Sequence, residues 1–161
     1  MAARGGRSSD PLTIALRFLA SRSRSEAQVR ERLASRGVGA EDVDAALERL
    51  RELGYVDDAE FAAAVIRSRT QGRARGRRLV GEELRAKGVD DEVATEALDR
   101  RYGDELDVAR PVAERQARRL QGRGFGDFRQ RLGAFLVRRG FEHATAESLV
   151  TELWETYGAP D

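Results

Sequence analysis

Three glycines, Gly37, Gly88 and Gly140, fall 51 and 52 residues apart, and each closes a segment of one pattern. The segments are SEAQVRERLASRGV at 25–38, GRRLVGEELRAKGV at 76–89 and DFRQRLGAFLVRRGF at 127–141. Four residues before each glycine stands Leu33, Leu84 or Leu136, and four before that Val29, Val80 or Leu132. The residue after each glycine is again apolar: Val38, Val89 or Phe141. Apolar residues at i and i+4 share one face of a helix, and a glycine just beyond supplies the left-handed residue that stops it. A period of about fifty residues predicts a helical repeat array.

Local signals fill in two further helices per repeat. Asp10-Pro11 reads as an N-cap followed by proline at the first helical position, opening a helix to about Arg22. Ser25 with Gln28 makes a capping box, and a third helix from about Glu41 to Leu53 carries Val43, Ala46, Leu47 and Leu50 before Gly54. Asp57 with Glu60 opens the fourth, with Phe61, Val65 and Ile66 facing inward, and the sixth runs from Asp91 to about Tyr102. In the third repeat, which opens near Asp104, Pro111 predicts either a kink or a helix start displaced to about 111. Asp127 with Gln130 is read as the next cap, and Leu149, Val150, Leu153 and Trp154 line the last helix. The fold class is all-α: an elongated array of three tandem three-helix repeats, about nine helices in all. The expected bounds are a flexible basic tail at 1–9, then repeats at 10–56, 57–103 and 104–161. A fifty-residue module buries little apolar surface alone, so neighbouring copies are expected to share a core.

Composition excludes several classes of function. There is no cysteine, hence no disulfide framework and no thiolate metal site. No apolar run is long enough to cross a bilayer and no apolar signal core follows the basic N-terminus, so a cytoplasmic protein is expected. The catalytic inventory is thin. His143 is the single histidine, and it stands where a capping or solvated role suffices. Asp57-Asp58 and Asp90-Asp91-Glu92 fall at helix starts, where carboxylates cap and complement the helix dipole. GRGFGD at 122–127 has glycines before a helix but no preceding strand, so it lacks the dinucleotide-binding context. No enzyme activity, cofactor or metal is expected.

The net charge of +1 conceals a strong pattern. Residues 1–36, 67–88 and 110–140 carry +5, +6 and +7, whereas 41–60, 89–109 and 141–161 carry −6, −6 and −5. Charge therefore alternates in step with the repeat. If the repeats stack regularly, the basic middle helices form one stripe suited to phosphate or to an acidic protein surface. Its candidate residues are Arg22, Arg24, Arg30, Arg67, Arg69, Arg73, Arg75, Arg77, Arg78, Arg85, Lys87, Arg118, Arg119, Arg123, Arg129, Arg131, Arg138 and Arg139. The alternative is a solvated surface balanced by the acidic bands. Most of the six phenylalanines fit inner helical faces, so stacking platforms for bases are not evident.

ALRFLASRSRSEAQVRERLASRGV, RLRELGYVDDAEFA and GRRLVGEELRAKGV together resemble the RecX family of bacterial recombination regulators. The resemblance spans about residues 12–157 and is most specific in the central block. It implies an all-α regulator that binds the filament of the RecA recombinase on single-stranded DNA. Such a regulator inhibits the filament's ATPase, strand-exchange and co-protease activities, lowering recombination and the SOS response. The implied partners are the RecA filament and single-stranded DNA, with double-stranded DNA a second candidate; no membrane partner is expected, and the chain is expected to be a monomer. The family offers no catalytic motif to transfer, so the named arginines rest on charge alone. The competing reading is a free-standing helical-repeat protein that binds nucleic acid.

Overall fold

A computed structural model of the chain describes residues 10–158. The expected tail at 1–9 and the chain after Gly158 lie outside the described residues. Among those residues the secondary structure is nine α-helices and no strand. They are α1 (Pro11–Leu19), α2 (Glu26–Ser35), α3 (Ala40–Glu52), α4 (Asp58–Arg69), α5 (Arg77–Ala86), α6 (Asp91–Arg101), α7 (Glu105–Arg119), α8 (Phe125–Arg138) and α9 (His143–Tyr157). The all-α, three-by-three order of the sequence reading is therefore observed.

The repeated glycines stop their helices as the pattern requires. Gly37, Gly88 and Gly140 have φ of 80°, 79° and 89°, a region that L-residues with a side chain seldom occupy. After α2, Gly37 N–H donates to Ala34 and Val38 N–H to Leu33, at 3.0 and 3.2 Å. After α8, Gly140 donates to Val137 and Phe141 to Leu136, at 2.9 and 3.2 Å. This is the Schellman pairing, which satisfies carbonyls that the helix end would leave bare. Its apolar partner, Phe141 in the last case, is buried.

Caps at the other ends agree only in part with expectation. Ser25 accepts from Gln28 N–H at 3.2 Å while the Gln28 side chain accepts from Ser25 N–H at 3.0 Å, a reciprocal box. Asp57 accepts from the amides of Ala59 and Glu60 at 3.0 and 3.2 Å. Asp10 precedes α1 but makes no cap bond to the backbone; it accepts from the Thr13 hydroxyl at 3.3 Å, and α1 stops at Leu19, short of Arg22. α7 is not displaced to Pro111. Asp104 caps it at Glu105 by accepting from Leu106 and Asp107 amides at 2.9 and 3.4 Å, and Pro111 lies inside the helix. α8 starts at Phe125 with Gly124 as N-cap, three residues before the expected cap Asp127. Asp127 is instead drawn into ion pairs with Arg123 and Arg131 at i±4, each 2.7 Å long.

The chain divides into two compact units. The first ends at Phe61 and takes in Lys87–Val89; the second holds Ala62–Ala86 and the chain from Asp90 onward. The core of the first unit is Ala15, Val29, Leu33, Val43, Ala46, Leu47, Leu50 and Val56. Val29 and Leu33 are the two apolar columns of the repeat. The second unit packs α7, α8 and α9 around Phe128, Leu132, Leu136, Leu149 and Leu153.

In each unit the start of a middle helix is joined to a glycine turn, by a side chain in one and by backbone in the other. In the first, the Ser25 hydroxyl at the start of α2 donates to the Lys87 carbonyl, and Gly88 lies where a side chain would strike Ala27 at 2.3 Å. In the second, Gly76 N–H at the start of α5 donates to the Arg139 carbonyl at 2.7 Å. A Cβ on Gly76 would lie 2.0 Å from the carbonyl carbon of Gly140. Ser25 and Gly76 occupy equivalent positions 51 residues apart, as do Gly88 and Gly140 at 52. The start of one middle helix thus receives the glycine turn of the next repeat.

Candidate arginine-lined site

The basic and acidic bands meet within each repeat. Arg30 of α2 pairs with Asp44 of α3 at 2.7 Å; Arg77 and Arg85 of α5 pair with Asp99 and Asp91 of α6; Arg129 of α8 pairs with Glu147 of α9 at 3.1 Å. Within α5, Arg78 pairs with Glu82 at 2.9 Å. Each third helix therefore neutralises part of the middle helix beside it. Such exposed pairs add little stability, roughly 0–1 kcal/mol each.

In the first unit two arginines, Arg24 and its neighbour Arg32, share one ring. The Arg24 guanidinium lies 4.2 Å from the Phe18 centroid and Arg32 lies 5.4 Å from it. Burial first, then the charges of Arg22 and Arg32, hold Arg24 below its ordinary pKa. Lys87 belongs to this unit too, its ammonium 5.9 Å from the Phe61 ring.

The same three positions in the next repeat carry different chemistry. Phe18, Arg24 and Arg32 correspond, 51 residues on, to Arg69, Arg75 and Glu83. Arg69 grips Glu83 through two bonds of 2.9 and 2.8 Å, and Arg75 reaches it at 3.5 Å. The fork raises the Arg69 pKa above its ordinary value.

Five candidates, Arg22, Arg67, Arg73, Arg119 and Arg138, have no ion pair, side-chain hydrogen bond or ring contact among the described residues. Arg118 donates to the Tyr157 hydroxyl at 3.4 Å. Arg139 is held by backbone instead of carboxylate: its Nε donates to the Ala74 carbonyl at 2.9 Å and its Nη2 to the same oxygen at 2.7 Å. Arg115 donates through Nη2 to the Gly72 carbonyl at 2.6 Å. These bonds leave both charges uncompensated.

They border a cavity of about 270 Å³ lined by Arg73, Val112, Arg115, Gln116, Arg119, Phe135 and Arg139. Among the described residues no carboxylate lines it. Arg139 is half-buried, its guanidinium 5.8 Å from the Phe135 centroid. Desolvation, followed by repulsion from Arg75, Arg73 and Arg115, lowers its pKa. Of the sequence candidates the structure brings Arg73, Arg119 and Arg139 together here. Sequence reasoning missed Gln116 and Phe135, and held Arg115 only as part of the third basic band. Its signal was present in the i, i+4 pairs Arg115/Arg119 and Phe135/Arg139, but nothing in the sequence says that the loop at 72–76 closes over both helices.

No helix among the described residues is long and apolar enough to cross a membrane. Three family models match in order: the first three-helix domain of RecX at residues 12–50, the second at 57–98 and the third at 103–150. Regulatory protein RecX of Levilactobacillus brevis is 36% identical over 140 residues, covering 86% of this chain and 53% of that protein. The chain thus spans about half the length of that relative. The RecX regulatory proteins of a Mycobacterium species (strain JLS) and of Thermobifida fusca are 38% and 36% identical, covering 84% and 90% of this chain and 77% and 79% of theirs. The crystal structure of RecX from Lactobacillus salivarius superposes with a TM-score of 0.82 at 22% identity, over 91% of this chain and 96% of that one.

Proposed function

This chain belongs to the RecX family of regulatory proteins, and we propose that it is a negative regulator of homologous recombination and of the SOS response. In this reading it is a non-enzymatic cytoplasmic protein that binds the RecA filament on single-stranded DNA and inhibits ATP hydrolysis, strand exchange and co-protease activity. The observation that carries it is the ordered match of all three domains along the chain. Several modest contacts suit a repetitive partner, since a second contact made from an already bound molecule benefits from a high effective concentration.

The test is direct. Purified protein is added at substoichiometric amounts to cognate RecA, single-stranded DNA and ATP, and ATP hydrolysis is followed. Inhibition well below one molecule per RecA protomer is expected; absence of inhibition at every ratio overturns the proposal. The uncompensated Arg73, Arg115, Arg119 and Arg139 favour a second reading, direct binding of nucleic acid without the recombinase. That reading stands or falls on binding to naked oligonucleotide.

A further inference from the structure

We propose that the cavity between the loop at 72–76, α7 and α8 is a nucleotide site, holding a phosphate on Arg73, Arg115, Arg119 and Arg139 with the adjoining base on the Arg139–Phe135 pair. It rests on the nucleic-acid half of the reading above and not on the recombinase half.

Elsewhere many of the arginines are neutralised by neighbouring carboxylates, from Arg30–Asp44 to Arg129–Glu147. Here four guanidiniums line one cavity with no acid among the lining residues. Like charges held together raise the free energy of the unliganded protein, and an anion relieves it.

Arg139 and Arg115 are fixed by bonds to the carbonyls of Ala74 and Gly72, so their positions are set before a ligand arrives. Those bonds leave Nη1 of Arg139, and Nε and Nη1 of Arg115, without a hydrogen bond among the described residues. Among the described residues Arg73 and Arg119 have no hydrogen bond to any guanidinium nitrogen. Planar forks of this kind match phosphate oxygens two at a time.

A cavity of about 270 Å³ falls just below the roughly 300–1,000 Å³ of drug-sized ligand sites, which suits one nucleotide unit. It is too small for a helix, whose diameter with side chains is about 10–12 Å. Phe135 and the guanidinium beside it offer a flat surface of the type on which bases stack. Acidic side chains would use the arginines and leave that surface idle.

The experiment measures anisotropy of a fluorescent eight-residue oligo-dT bound to the intact protein, without RecA. The variant Arg73→Ala/Arg119→Ala removes side chains that make no bond in the fold, so its circular dichroism and melting should match the parent. Its affinity should fall at least tenfold, and the log–log salt slope should become shallower by about 1.4, or roughly 0.7 per lost phosphate contact on single strands. Phe135→Leu keeps an apolar side chain and should weaken oligonucleotide several-fold while leaving competition by inorganic pyrophosphate unchanged. Competition by ATP at the same variant-sensitive site would identify free nucleotide as the source of the phosphate; failure of ATP to compete would identify the strand. Arg101→Ala, in the acidic band, should bind as the parent does. Unchanged binding by the double variant overturns the proposal. So does poly-glutamate that competes as well as an oligonucleotide of equal charge, because the cavity is then a site for acidic protein. None of these outcomes alters the RecA ATPase test.

Discussion

At the residue scale, the sharpest constraint is Gly76. Its missing Cβ would sit 2.0 Å from both the carbonyl carbon and the oxygen of Gly140, and backbone cannot swing aside as a side chain can. Gly76→Ala should cost about 3 kcal/mol or more in urea unfolding. Gly133, inside α8, meets nothing within 4 Å, so Gly133→Ala should stabilise by roughly 0.5–1 kcal/mol through helix propensity. Glu26 supplies a pH signature. Its bonds to Arg51 hold its carboxyl below the ordinary value of 4.5, so the folded state favours the charged form. That stabilisation is full above the ordinary value and is lost as pH falls through the lowered one. Asp58 works the other way: burial raises its pKa, and protonation relieves a cost. The difference in unfolding free energy between parent and Glu26→Gln should therefore shrink as pH is lowered from about 6 to about 3; a constant difference would show that the Arg51 contact does not persist in solution.

At the scale of elements, equivalent positions have been solved twice. Phe18 between Arg24 and Arg32 is a cation–π contact; Arg69 and Arg75 on Glu83 is an ion triad. Glu83 is 15% exposed, so removing it leaves the half-buried Arg69 without its carboxylate and the exposed Arg75 without its weaker contact. Glu83→Ala should cost about 1.5–3 kcal/mol by thermal or chemical unfolding, against less than about 1 kcal/mol for Glu82→Ala, whose pair is exposed. The helices themselves were legible because each carries its own stop or cap: Gly37, Gly54, Ser25 and Asp57 act where the pattern puts them. Two helix starts were settled by competing preferences. At α7 the Asp104 cap, where the third repeat was expected to open, prevailed over a start displaced to Pro111, and at α8 Asp127, the expected cap, pairs with two arginines instead of the backbone. Competition between local preferences is settled by neighbours that the sequence does not place.

At the scale of the whole molecule, the alternating bands divide arginines into those answered by the adjacent acidic helix and those left over. Folding stability and anion binding should then respond differently to salt. Raising sodium chloride from about 50 to 500 mM should shift the unfolding free energy by no more than about 1–2 kcal/mol, since the answered pairs are exposed. Over the same range oligonucleotide affinity should fall by orders of magnitude, because it depends on displaced counterions. A large loss of stability in salt would show that the bands hold the fold together. The banding was readable from counts alone; which arginines remain unanswered was not, because Arg115 and Arg139 are fixed by carbonyls of a distant loop. The junctions at Ser25 and Gly76 bear on ancestry. A module copied in tandem arrives with its joint already made, because it inherits both the helix start that receives and the glycine turn that is received. Drift can rewrite nearly every surface position of such a copy, as Phe18 and Arg69 illustrate, while two small residues keep successive copies in step.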